Sequence, residues 1–161
     1  MWDAHERHLW EPPEALPKGF RKTLNPARER FGVLYYGSGD VVLNLEQAAR
    51  YERVVITEGP TSAIRVGPEA VATFGKQLQP AQIARFVRAG VRAVDFMWDG
   101  PSEKEPEGAW VQMIAAAGQL APFMDVRLVF LPSGDPGDYT REELGFYRAH
   151  ARPLSSGSLI L

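Results

Sequence analysis

Residues 54–59 read Val54-Val55-Ile56-Thr57-Glu58-Gly59, and Pro60-Thr61-Ser62-Ala63 follow. A run of β-branched residues predicts a buried strand, and the Gly-Pro pair ends it just before a helix. Glu58 therefore falls at the carboxyl end of a strand. In an open α/β sheet that edge is where ligands bind. A carboxylate there is either a surface acid at a turn or a group that handles a metal ion or a proton.

Outward from Glu58 the chain alternates strand and helix. Residues 53–58 predict the first strand, and residues 62–66 a short helix ended by Gly67-Pro68. Residues 70–74 predict a second strand, closed by Gly75. Residues 80–89 predict a helix with Pro80 at its first position and Gly90 after its end, the usual asymmetry of helix termini. A third strand, 91–98, ends on Asp99-Gly100. The next helix, 107–121, carries Trp110, Met113, Ile114, Ala117 and Ala121 on one stripe. A fourth strand spans 126–131, and a last helix starts at Thr140, which has capping-box spacing to Glu143. This alternation predicts an α/β domain whose mostly parallel, Rossmann-like, four-stranded core sheet is flanked by helices, with right-handed crossovers.

Residues 1–49 are expected to form an N-terminal extension, 50–152 the α/β domain, and 153–161 a tail that either docks or frays. Within the extension, residues 1–17 read as an irregular arm. Its Trp2 and Trp10 suit either stacking on single-stranded nucleic acid or a hydrophobic clasp. Lys18, Arg21, Lys22, Arg28 and Arg30 then stand against the single acid Glu29, as a solvated surface or as a patch contacting nucleic-acid phosphates. Residues 31–36 and 41–45 predict a short hairpin through Gly37-Ser38-Gly39-Asp40, and 46–52 a helical turn.

A length of 161 residues suits one domain, and 45% hydrophobic with 24% charged residues is ordinary for a globular protein. With no cysteine, disulfides, zinc fingers, iron–sulfur clusters and thiol catalysis are excluded for these residues. His5, His8 and His150 make no ligand set for zinc. A formal net charge of −2 provides no global basic field. No apolar run approaches the roughly 20 residues of a membrane span, so the expected location is the cytoplasm.

In a parallel sheet the strand ends share one side. Glu58, Lys76, Asp99 and the loop 133–138, with Asp135 and Asp138, should meet there. Acids gathered at one edge repel each other unless a cation offsets them, and oxygen-only donors favour Mg²⁺ or Mn²⁺. Carboxylates holding Mg²⁺ opposite a lysine suit phosphate chemistry. Asp95, inside the third strand, is expected to be paired or exposed rather than a ligand. Trp98 and Trp110 are expected to pack in the core or beneath a lid.

Four features in order, Glu58-Gly59, Ala72-Thr73-Phe74-Gly75-Lys76, Asp99-Gly100 and Leu131-Pro132-Ser133-Gly134-Asp135-Pro136-Gly137-Asp138, resemble the Toprim domain. That module is shared by bacterial-type primases, topoisomerases and some nucleases. The likeness covers about residues 50–140 and is nearest to primase-type Toprim domains, particularly phage ones; residues 19–36 are weakly similar to the segment leading into the primase core. The resemblance implies Glu58 as general acid/base or metal ligand, Asp99 as a Mg²⁺ ligand, and Asp135 and Asp138 as the acidic loop, with Lys76 near the phosphate path. It departs from the family at Pro101, where the second acid of Asp-x-Asp is expected, and at Ser62, where an acid usually stands. Glu103, Glu105 or Glu107 are the candidates to supply the missing carboxylate. The implied activity is Mg²⁺-dependent nucleotidyl transfer that makes RNA primers on single-stranded DNA during replication, in a bacterial host cell if the chain is phage-encoded. Single-stranded DNA and nucleotides are then its substrates, and a separate zinc-binding protein and a helicase its partners. The alternatives are a metal-dependent nuclease of the same class, or a degenerate Toprim module that binds nucleic acid or a replication partner without chemistry.

Overall fold

The computed structural model describes residues 29–30, 33–34, 38–104 and 106–154. The chain divides into two units, residues 1–38 and 39–161. In the first, β1 (Glu29–Arg30) and β2 (Val33–Leu34) form a two-stranded antiparallel ladder. Trp2, Trp10, Lys18, Arg21, Lys22 and Arg28 lie outside the described residues, as does the side chain of Arg30.

Residues 41–45 are not the second strand of a hairpin. A 3₁₀ turn at Ser38–Asp40 leads to a single antiparallel bridge between Leu43 and Ala72, and α1 (Leu45–Ala48) follows at once. The sheet edge competes successfully for this segment. Leu43 N donates to Ala72 O at 3.0 Å, Asn44 Nδ2 donates to Pro68 O and Ala70 O, and Val42, Leu45 and Ala48 join the core. The segment thereby covers an edge strand that would otherwise expose unpaired backbone groups.

The second unit is built on a five-stranded sheet in the order β4-β3-β5-β6-β7. The four expected parallel strands are β3 (Val54–Thr57), β4 (Ala70–Ala72), β5 (Ala93–Phe96) and β6 (Asp125–Leu128). The fifth is β7 (Arg152–Pro153), antiparallel to β6, with Leu154 N donating to Val126 O at 2.9 Å. A proline is tolerated there because an edge strand leaves one row of N–H groups unused.

Helices cover both faces, so β3, β4 and β5 are buried along their whole length, while β6 leaves Asp125 exposed and Arg127 partly so. On one face Val54, Ile56, Phe96, Trp98 and Leu128 meet Phe86 of α3 (Pro80–Arg88) and Met113, Ala117 and Leu120 of α4 (Trp110–Leu120). On the other, Val55, Ala72, Met97 and Leu131 meet Ala63 and Val66 of α2 (Pro60–Val66) and Leu144 of α5 (Arg141–Ala149). Trp98 is fully buried edge-on to Phe96, and Trp110 packs edge-on to Phe130. The capping box of α5 forms as its spacing predicts: Glu143 N donates to Thr140 Oγ1, and Thr140 N donates to Glu143 Oε2 at 2.7 Å. Among the described residues no helix is long and apolar enough to cross a membrane.

Asp95 is fully buried in β5 and paired. Arg127 grips it with two hydrogen bonds, Nε to Oδ1 at 2.8 Å and Nη2 to Oδ2 at 2.9 Å. Arg53 stands 3.5 Å from Oδ1, and Arg148 Nε lies 3.4 Å from Oδ2. Arg53 also pairs with Asp125, and Arg148 with Glu69, so three arginines face three carboxylates. The bond to Asp95 raises the pKa of Arg127 above its ordinary value against the opposing effect of burial. Arg53, Glu69 and Asp125 precede or begin their strands, which puts this network toward the amino end of the sheet.

Candidate active site

At the carboxyl edge, backbone hydrogen bonds carry the strand register into the loops. Thr73 N donates to Thr57 O (3.2 Å), Phe74 N to Glu58 O (2.9 Å), and Met97 N to Ile56 O (2.9 Å). Glu58 therefore lies beside Thr73-Phe74 on one flank, and Asp99 follows three residues after the end of the neighbouring strand on the other. Both acids are partly exposed, and Oε2 of Glu58 is withdrawn from solvent.

Two buried threonines shape these turns. Thr57 Oγ1 donates to Val71 O and Gly59 O, while Thr73 Oγ1 reaches Thr57 O and Gly75 O. Gln82, fully buried on α3, donates from Nε2 to Thr73 O at 2.8 Å and to Val41 O at 2.9 Å. The loop that carries partly exposed Lys76 starts with Phe74 at φ 62. A bulky side chain in the left-handed region costs roughly 1–3 kcal/mol and persists only where its surroundings over-determine it. Phe74 N on Glu58 O and Gln82 on Thr73 O supply that constraint.

The loops after β5 and β6 are interlocked. Gly100 N donates to Gly134 O (2.8 Å), Gly134 N donates to Pro101 O (3.1 Å), and Ala109 N donates to Asp99 O (3.0 Å). A Cβ on Gly100 would stand 2.6 Å from Leu131 O, and one on Gly108 would stand 2.6 Å from the carbonyl carbon of Gly100. Only glycine fits where these backbones touch, and Gly108 (φ 58) also needs left-handed freedom. This junction delays the helix expected from residue 107, which starts at Trp110.

The acidic loop is self-satisfied. Asp135 Oδ1 accepts from Gly137 N, and Asp138 Oδ2 accepts from Asp135 N at 3.0 Å, closing a capping box over the 3₁₀ turn Pro136–Asp138. Ser62 of α2 donates to the same Asp135 Oδ1 at 2.8 Å, and Arg65 Nε donates to Gly137 O at 3.2 Å. Glu58, Lys76 and Asp99 thus follow the ends of neighbouring strands, and Asp135 and Asp138 stand in a loop tied to α2 by Ser62 and Arg65 and to the Asp99 turn through Gly134. Glu103 and Glu107 are exposed, and Glu105 lies outside the described residues.

Among the described residues no three acids or histidines converge closely enough to enclose a metal ion. Two strand-end carboxylates still suit Mg²⁺ in donor type. That ion keeps several waters and is commonly held by one or two carboxylates together with substrate phosphates.

Several solved structures share this architecture. A DnaG primase catalytic domain bound to ssDNA matches with a TM-score of 0.62 and 21% identity over 85% of this chain and 45% of its own. The fold matches one part of the primase catalytic core. A DNA primase domain from Pseudomonas aeruginosa (TM-score 0.63, 24% identity, 86% and 46% covered) and the E. coli primase catalytic core (0.61, 22%, 86% and 47%) agree. The chain spans less than half the length of these primase structures, and at this identity the likeness is one of fold. No protein-family model matches the sequence, and no curated protein is detectably similar.

The positioning residues Thr57, Ser62, Thr73 and Gln82 were not singled out for those roles in the sequence. One signal was present: Thr57 and Thr73 each close an otherwise apolar strand run directly before the loop that carries a candidate residue.

Proposed function

We propose that this chain is a primase-type Toprim module that supports Mg²⁺- or Mn²⁺-dependent nucleotidyl transfer, joining ribonucleotides on a single-stranded DNA template. The observation that carries this reading is the pair Glu58 and Asp99, on the carboxyl ends of adjacent parallel strands, in a primase-core fold. Glu58 and Asp99 would hold the ion, and Asp135 and Asp138 would assist with a second ion or the incoming nucleotide. The metal, when bound, neutralises charge that develops on the reacting phosphate. Glu58 would take the proton of the attacking 3′-hydroxyl where it does not itself hold the ion. Lys76 would meet the leaving phosphates. Lys18, Arg21, Lys22, Arg28 and Arg30 would contact template phosphates, with sequence recognition and unwinding left to a zinc-binding partner and a helicase.

One observation favours a second reading. Pro101 and Ser62 remove two expected acids, which suits a module that binds nucleic acid or a replication partner without chemistry. Primer synthesis from ribonucleotides on single-stranded DNA, with wild type and Glu58→Gln, separates the readings. Product that requires Glu58 supports the enzyme. Template cleavage that requires Glu58 points to a nuclease using water as nucleophile. No reaction, with DNA binding equal in both proteins, supports the binding module.

A further inference from the structure

Helix α2 begins directly after Glu58 and turns two donors, one helical turn apart, toward the acidic loop: Ser62 to Asp135 and Arg65 to Gly137. Arg141 of α5 closes the arrangement by donating to Arg65 O at 3.2 Å. Ser62 is 1% exposed, so its hydroxyl must find its acceptor inside the protein, and that acceptor is a carboxylate oxygen. The same oxygen takes the Gly137 amide. A second carboxylate in place of Ser62 would face Asp135 at contact distance and would demand a cation or a proton between them. A hydroxyl demands neither.

We propose that Ser62 is the positioning residue of the acidic loop: its buried hydroxyl occupies Oδ1 of Asp135 and orients Oδ2 as the oxygen presented to a cation. The loop is then organised before any metal arrives, and α2 links its position rigidly to the strand end that bears Glu58. Only the identity of what Oδ2 meets rests on the primase-type reading; the positioning role stands on the hydrogen bonds themselves. A hydrogen bond to a charged acceptor is among the stronger ones, and its loss loosens the Asp135 side of a loop that its own bonds and Arg65 still brace.

The test is amide hydrogen exchange on the metal-free protein, comparing wild type with Ser62→Ala and with Ser62→Cys, which keeps the volume with a weaker donor. Exchange at Gly137 and Asp138 should quicken about tenfold, in line with one charge-assisted hydrogen bond, while Val55 in the core of β3 stays within about twofold. Unchanged exchange in the loop, or equal acceleration in loop and core, overturns the proposal, because the serine would then be a general packing residue. Mg²⁺ titration of the same proteins separates the two ideas. Weaker binding in both variants supports the role of Oδ2, and equal binding in wild type and variants overturns it. A wild type that binds no Mg²⁺, with loop exchange still accelerated in the variants, would refute the metal reading and leave Ser62 as the loop's anchor.

Discussion

Replacing Asp95 by Asn keeps the shape of a fully buried side chain and removes its charge. Three arginines would lose their shared counter-ion, and the new amide N–H₂ would face the Arg127 fork donor to donor. Breaking a buried pair from one side typically costs about 3–5 kcal/mol. The arginine side chains keep 22%, 31% and 25% of their exposure, so solvent screens part of the loss and the lower end applies, about 3 kcal/mol. For a domain of this size that lowers Tm by about 6–12 °C. Urea unfolding followed by circular dichroism reads the loss directly, with an unchanged m-value as the check that only stability has moved. Asp95 lies within β5, in the arginine network toward the amino end of the sheet, and Asp99 follows the strand's other end, so metal binding should survive the substitution. An Asp95→Asn protein within about 1 kcal/mol of wild type would mean that the arginines find equivalent partners elsewhere, and the network would not be the brace described.

Gly108→Ala should cost at least about 2 kcal/mol, from left-handed strain and overpacking against Gly100; because that contact also sets the Asp99 turn, a variant as stable as wild type would show that the glycine junction is not tight. Gln82→Met should cost about 2–3 kcal/mol, since the Thr73 and Val41 carbonyls lose their donor, and thermal melting reads the loss. Glu143 has its pKa held below the ordinary 4.5 by the Thr140 backbone N–H first and the Thr140 hydroxyl second. Its folded value lies below its unfolded one, so the stability it contributes is present above about pH 4.5 and is lost as pH falls through the folded value. Glu143→Gln should therefore flatten the acid limb of a Tm-against-pH curve in that window, and an unchanged limb would refute the assignment.

The parallel core was legible because strands buried on both faces leave largely apolar runs between Gly/Pro breaks: Val54-Val55-Ile56-Thr57 before Gly59-Pro60, and residues 91–98, broken by Arg92 and Asp95, between Gly90 and Gly100. Asp95 could be read as paired or exposed because an unpaired buried charge there would be too costly, and the structure shows it buried and paired. The segment 41–45 misled for a related reason. Its apolar residues signal burial, but local pattern does not say whether the partner is a hairpin neighbour or the edge of a strand that lies further along the chain. Leu43 meets Ala72, and no short-range signal encodes that pairing. The fifth strand was equally silent, since two residues ending in proline carry no period. At the site, the strand-end positions of Glu58 and Asp99 followed from the alternation alone. The bond from Ser62 to Asp135 spans 73 residues, so the sequence presented Ser62 only as a missing acid.

The central claim, that Glu58 and Asp99 form a metal-dependent phosphate-handling centre, is tested most directly by Mg²⁺ and Mn²⁺ titration calorimetry on the wild type, Glu58→Gln and Asp99→Asn. Saturable binding by the wild type that either substitution abolishes is the predicted result. Wild-type protein that binds neither ion up to several millimolar, or binds them just as well without Asp99, would contradict it.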